Sequence, residues 1–290
     1  MRVRLLGTLL LGTASGTTWS QTLHVNYVAR DTIESRLREY GGTNVERGAR
    51  LRQMFADAGC GEHLSEQQVR FSKAPNVICV LPGATERVIL VGAHFDRVRG
   101  SEGVADNWSG AALLPSLYRS VNIAPRQYTY VFIGFTDEEL GLVGSRAYVR
   151  KMTPGQVAAT AAMVNIDTLG LATTEVWLRR ADKRLAGALL IVANHLKLPL
   201  TAVDFDNVGS TDSESFARKK IPRITIHTLT QKSHDEQILH TSKDKLAAVN
   251  LDYYYDTYRM VALYLVYLDH FLNLPEEPLE AVSTPVEPAQ

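Results

Sequence analysis

Apolar positions along the chain recur in two rhythms. Val45, Leu51, Met54, Phe55 and Ala58 fall on one face of a helix over Thr43–Ala58, which Gly59 stops. Asn76–Leu81 and Arg87–Ala93 are short β-branched runs, separated by the turn-forming Pro82-Gly83. Tyr128–Phe135 is a continuous apolar run of the kind buried on both faces of a sheet. Met163–Asp167, Glu175–Leu178 and Ile221–His227 read as further strands. Helical spacing covers Ser109–Val121, Leu142–Lys151, Pro154–Ala161, Leu185–Leu196 and the long segment Asn250–Leu274. Pro115 is expected to kink the first of these, and Thr153-Pro154 reads as a cap followed by a first-turn proline. Such alternation predicts an α/β fold, a three-layer α/β/α sandwich around a mixed, mostly parallel sheet. In such sheets ligands sit beyond the carboxyl ends of the strands.

The first twenty residues break this pattern. Arg2 and Arg4 precede an apolar stretch, Leu5 to Leu11, and then small residues, which describes a secretory signal peptide too short to span a bilayer. The protein is therefore expected to be exported, to the periplasm or beyond, with a single domain over residues 21–274. The end, residues 275–290, carries four prolines and four glutamates among few large apolar groups, and is expected to be a disordered tail. Lys+Arg and Asp+Glu are both 31, and basic residues do not cluster with aromatics, so nucleic acid is not an expected partner. No later segment reads as a membrane span. Cys60 and Cys79 are the only cysteines. Export favours a disulfide between them over two unrelated buried thiols, and both readings stay open.

Chemistry-bearing residues gather after the predicted strands. Arg87–Ala93 leads into His94-Phe95-Asp96, and the next loop carries Asp106-Asn107-Trp108-Ser109-Gly110. Tyr128–Phe135 leads into Asp137-Glu138-Glu139, and Met163–Ile166 into Asp167-Thr168-Leu169-Gly170. His240-Thr241-Ser242-Lys243-Asp244 follows late in the chain. One such residue is most often a cap or a surface group. Five segments together would crowd several carboxylates at one sheet edge, where like charges repel unless cations neutralise them. Two imidazoles with carboxylates and no thiolate suit Zn²⁺ in an open catalytic site, whereas Ca²⁺ would take oxygen ligands only.

These five motifs, in this order, resemble the co-catalytic two-zinc aminopeptidase family, which includes bacterial secreted leucyl aminopeptidases, over roughly residues 75 to 272. The resemblance implies a hydrolase that removes N-terminal residues from peptides or small aminoacyl substrates with two zinc ions per chain. It implies that His94 and Asp167 hold one zinc, Glu139 and His240 the other, and that Asp106 bridges them. Asp96 would accept the remaining ring N–H of His94, and Glu138 would be the general base toward a water shared by the two metals. A cis peptide after Asp106 is implied as well. Where many relatives carry Ser-Asp-His-x-x-Phe, this chain has Thr211-Asp212-Ser213-Glu214-Ser215-Phe216, so Ser213 replaces a histidine outside the ligand set.

Competing readings are a glutaminyl cyclase on the same fold and a zinc carboxypeptidase or dipeptidase. The interval from Asp167 to His240 leaves little room for the inserted dimerisation domain usual in the latter. Ser242-x-x-Lys245 matches a nucleophile motif without its partner motifs, and His227 and His234 read as strand-end and loop residues with structural roles. The cluster Tyr253-Tyr254-Tyr255 reads as helix packing. The substrate pocket is expected from loops near Arg97–Glu102 and Thr228–Leu239.

Overall fold

The structure, a computed structural model, describes residues 23–123, 125–203 and 209–274. The expected leader (1–20) and tail (275–290) lie outside the described residues. Eight strands form one sheet there: β1 (Leu64–Gln67), β2 (Asn76–Leu81), β3 (Val88–His94), β4 (Thr129–Phe135), β5 (Thr160–Ile166), β6 (Thr174–Val176), β7 (Leu200–Ala202) and β8 (Arg223–His227). Their order is β1-β2-β4-β3-β5-β8-β6-β7. The centre, β4-β3-β5-β8, is parallel. β1 and β2 run antiparallel at one side, and β6 is antiparallel to β8 at the other.

The period-two geometry of a strand sends alternate side chains to opposite faces. On β3, Ile89, Val91 and Ala93 enter one core while Leu90 enters the other. The larger core is covered by α1 (Arg30–Leu37), α2 (Asn44–Asp57), α3 (Ser109–Val121), α6 (Lys183–Leu196) and α9 (Leu251–Phe271). The smaller core packs against α4 (Val143–Lys151), α5 (Pro154–Ala159) and α7 (Ser213–Ala217), through Val149, Val157 and Phe216. A short α8 (Gln231–Asp235) lies outside both. Fully burying one leucine or phenylalanine of these cores contributes about 2 kcal/mol. The expected three-layer architecture with a mixed, mostly parallel sheet is what forms.

Several element boundaries differ from the sequence reading. α3 runs through Pro115 as one helix, because Leu113, Leu114, Leu117 and Tyr118 pin both of its halves into the core. α5 ends at Ala159, and Thr160-Ala161 open β5 instead. The strand expected to reach Leu178 ends at Val176, and Leu178–Arg180 form a 3₁₀ turn. β8 begins at Arg223, after Pro222, which has no N–H to add to the ladder. The cap expected at Thr153 holds, with Thr153 Oγ1 accepting from Gln156 N–H and Gln156 Oε1 from Thr153 N–H, and Thr43 and Glu46 form the same box at the start of α2.

Cys60 and Cys79 are joined in a disulfide that ties the end of α2's turn to β2. With a sequence separation of 19 between the partners, chain-entropy reasoning gives about 3 kcal/mol. The Cys60→Ala/Cys79→Ala variant should lose about that much in urea unfolding, and unreduced denatured wild type should titrate without free thiols. A second stability test concerns Glu175 on β6, 6% exposed, whose carboxyl burial pushes up from its ordinary 4.5 to about 7. Between those values the unfolded chain releases a proton that the folded chain keeps, so stability falls as pH rises from about 4.5 to about 7. Glu175→Gln should flatten that slope and be more stable than wild type above pH 7, measured by thermal unfolding across pH.

Candidate metal and active site

Three neighbouring parallel strands deliver the site. β3 ends in His94, β4 leads into Glu138 and Glu139, and β5 leads into Asp167. Asp106 comes from a single π-type turn, Val104–Trp108, set between β3 and α3. His240 comes from the loop after α8, in the left-handed conformation (φ 60°). Left-handed backbone recurs around the site at Asp137, Leu142 and Thr168, as expected where surrounding structure imposes costly conformations.

The expected ligands converge. Asp106 Oδ1 lies 3.1 Å from His94 Nε2, and Asp106 Oδ2 lies 3.1 Å from His240 Nε2. Asp167 Oδ1 is 3.6 Å from His94 Nε2, and Glu139 Oε2 is 3.0 Å from His240 Nε2. Two triads result, His94-Asp106-Asp167 and Asp106-Glu139-His240, each with one donor atom per residue, all within 4.8 Å of one another. They share Asp106, which turns one oxygen to each triad.

Electrostatics tests whether cations fit this set. Burial alone would lower the His94 imidazole, yet Glu138 and the carboxylates of Asp106, Asp167 and Asp96 hold it well above its usual range. Burial raises Asp106, but His240 and His94 outweigh it and hold the carboxyl well below the usual carboxylate range. Asp106 and Glu139 push His240 up to about 10. Burial pushes Glu138 up to about 10 as well, with His94 opposing and Asp212, Asp167 and Asp106 adding to it. Buried His94 Nε2 and Glu139 Oε1 have no hydrogen-bond partner. Unpaired buried donors and acceptors beside crowded carboxylates fit metal ligands, and imidazole nitrogens with carboxylate oxygens fit zinc.

The rest of the motifs build the cradle. Asn107 Nδ2 donates to Ile166 C=O (2.9 Å), and its Oδ1 accepts from Gly110 N–H (2.9 Å) and Thr168 N–H (3.2 Å). Ser109 Oγ accepts from Leu169 N–H (2.9 Å) and donates to Ala105 C=O. A Cβ on Gly110 would sit 2.5 Å from Asn107 Oδ1 and 2.7 Å from Ile166 C=O, so only glycine fits there. The Asp106–Asn107 peptide is cis. Together these contacts staple the Asp106 turn to the loop that carries Asp167.

Two aspartates act on backbone. Asp96 lies 3.4 Å from His94 Nδ1 without a hydrogen bond to it, while its oxygens accept from Glu138 N–H (3.0 Å) and Glu139 N–H (3.2 Å). Asp244, fully buried, accepts from Val104 N–H (3.1 Å) and Ala105 N–H (2.7 Å) on Oδ1 and from Asp106 N–H (3.1 Å) on Oδ2. Spacing placed Asp244 in a motif but did not reveal this contact. Thr211, which opens the segment matched to Ser-Asp-His-x-x-Phe but is given no role by that match, donates to Asp167 Oδ2 at 2.7 Å. Ser213 is buried on α7, where its hydroxyl accepts from Thr225 Oγ1 (2.9 Å).

A cavity of about 320 Å³ opens on the ligands. Its lining includes Trp177, His227, Leu229 and Leu239. Leu229 and Leu239 fit the expected loop, but Arg97–Glu102 does not line the cavity. Arg47 and Arg97 tie that loop down, through Glu102, Gly103 and Gly42 carbonyls. His227, read as a structural strand-end residue, is fully buried and faces the cavity, whereas His234 is exposed on α8. Within the tyrosine cluster, Tyr254 is buried and donates to Ser109 C=O (2.9 Å), and Tyr253 is exposed. No helix among the described residues is long and apolar enough to cross a membrane.

Residues 76–265 match Peptidase family M28. Aminopeptidase YwaD of Bacillus subtilis is 34% identical over 83 residues, 29% of this chain and 18% of its own. The chain spans about a fifth to a third of the curated relatives it matches. The LapA aminopeptidase of Legionella pneumophila superposes with a TM-score of 0.75 at 22% identity, over 83% of this chain and 72% of that one. Porphyromonas gingivalis glutaminyl cyclase superposes with a TM-score of 0.67 at 16% identity, over 83% and 98%.

Asp244→Asn tests the cradle. The amide oxygen can replace one carboxylate oxygen, but the NH₂ then meets an N–H donor. The variant should lose about 1–3 kcal/mol in denaturant unfolding and bind Zn²⁺ about 10–100-fold more weakly by competition with a chelator.

Proposed function

The chain belongs to Peptidase family M28, and from that premise we propose that it is an exported two-zinc aminopeptidase. The observation that carries the reading is the pair of triads sharing Asp106, one oxygen to each. His94, Asp106 and Asp167 would hold one ion, and Asp106, Glu139 and His240 the other. Bound there, the ions supply Lewis acidity toward the scissile carbonyl and a water that ionises near neutral pH.

The chain's own residues do the rest. Glu138 borders the cavity next to both triads, placed to take the proton of the attacking water and return it to the leaving amine. Asp96 fixes Glu138 and Glu139 together by holding both of their backbone N–H groups. A cavity of about 320 Å³, rimmed by carboxylates, suits one terminal residue with its amino group and little more. That supports cleavage at the N-terminal end. Export to an oxidising compartment accords with the Cys60–Cys79 bond.

Two measurements test the proposal. Dialysis against a chelator should abolish release of the terminal residue from aminoacyl p-nitroanilides, and Zn²⁺ should restore it at near two ions per chain. Glu138→Gln should keep its metal, by elemental analysis, and lose at least about a hundredfold in turnover. Turnover within tenfold of wild type would remove Glu138 from that role. Pyroglutamate from Gln-peptides in place of amino-acid release would favour a cyclase.

A further inference from the structure

The lining of the cavity carries two hydrogen-bond donors that the catalytic reading does not use. His227 ends β8, one step beyond the Ile166–Ile226 pair, beside Asp167, and is fully buried. Its Nδ1 accepts from Leu229 N–H at 3.0 Å, so in the neutral ring the proton sits on Nε2. Burial, which pushes the ring down to about 3, keeps it neutral at ordinary pH. That Nε2–H has no hydrogen-bond partner. Trp177, 6% exposed, stands against it with ring centroids 4.9 Å apart, and its indole Nε1–H also has none. Both residues line the cavity that opens on the metal ligands.

Both N–H groups are already buried without a partner, so an apolar terminal side chain leaves them unpaired, a cost that an acceptor atom of the substrate seated against them removes. A carbonyl oxygen can accept from both. The two donors are neutral, so they offer a carboxamide its hydrogen bonds without giving a further carboxylate a countercharge. Two cations stand near. Arg146 is exposed at the rim, and Arg180, over the Trp177 ring at 5.4 Å, donates to Gly209 C=O. The Ser210 hydroxyl, also in the lining, offers an acceptor for an amide NH₂.

Resting on the aminopeptidase reading, we propose that His227 and Trp177 make the site selective for terminal residues with a side-chain carboxamide, asparagine and glutamine. The discriminating comparison is between near-isosteres: asparaginyl against leucyl, and glutaminyl against methionyl, p-nitroanilides. For the zinc-loaded wild type, kcat/KM should favour the carboxamide in each pair by about tenfold or more. Trp177→Phe and His227→Phe should each bring the ratio to about one. Trp177→Phe is the decisive variant, since His227→Phe also removes the acceptor of Leu229 N–H and can unfold the strand end. Wild type that prefers leucyl to asparaginyl, or aspartyl and glutamyl to both, overturns the proposal. So does a ratio unmoved by Trp177→Phe.

A second readout needs no turnover. The Trp177 indole N–H resonance, assigned by its loss in Trp177→Phe, should shift on titration with asparaginamide and not with leucinamide. If that selective shift is seen while no aminoacyl p-nitroanilide is cleaved, the pocket assignment stands and the aminopeptidase reading falls. If leucyl and asparaginyl substrates are cleaved alike and neither amide shifts the resonance selectively, the aminopeptidase reading stands and the carboxamide pocket falls.

Discussion

Carboxylates that have been taken out of water beside one another set the terms for the rest of this structure. Asp106, Glu138, Glu139 and Asp167 meet at the carboxyl ends of β3, β4 and β5, with Asp96, Asp212 and Asp244 behind them. Two imidazoles cannot balance that charge. The titration pattern expresses the conflict: Asp106 is held low between two histidines, while burial pushes Glu138 and Asp212 up to about 10 and about 7. Such a cluster costs stability unless positive charge lies within it. Its persistence at the centre of a well-packed sheet is the physical argument for the proposed cations.

Holding anions in place against their repulsion requires backbone that cannot yield. Asp244 gathers three successive N–H groups of the Asp106 turn, and Asp96 gathers the two that precede the Glu138 and Glu139 side chains. Each is a charge-assisted hydrogen bond to main chain, stronger than a neutral one and directional. Asn107 and Ser109 then lock the same turn to the loop of Asp167. The acidic residues thus fall into two groups, those that face the cavity and those that fasten the first group's backbone.

That division explains what could be read from the chain. The long apolar runs of β3, β4 and α9 were legible because burial on both faces, or on a wide stripe, leaves an unmistakable pattern. α1, β1, β7, α7 and α8 passed unseen: each is eight residues or fewer with mixed polarity, below what periodicity resolves. Thr160-Ala161 satisfies both a helix end and a strand start, and pairing of β5 with β3 decided it. Pro115 looked disruptive locally, but packing of α3 overrode it. In the site, residues adjoining strand ends announced themselves as a set of five. Asp244 as a backbone clamp, Thr211 on Asp167 and the Trp177–His227 wall did not, because hydrogen bonds to main chain and contacts between distant strands leave no spacing in the sequence.

The sheet's change of direction gives that wall its place. β8 is the last of the central parallel strands, and β6 beside it runs the other way, pairing Glu175 with His227 and Val176 with Ile226. A parallel neighbour would have brought another strand end, and the polar residues that follow one, to the same edge. The antiparallel one brings instead Trp177, large, buried and uncharged, against His227. Anionic chemistry is thereby confined to β3, β4 and β5, and a neutral surface with fixed donors closes the other side. The two sides are joined through main chain, since Thr228 donates both its N–H and its hydroxyl to Thr168 C=O, so the position of His227 is tied to that of Asp167.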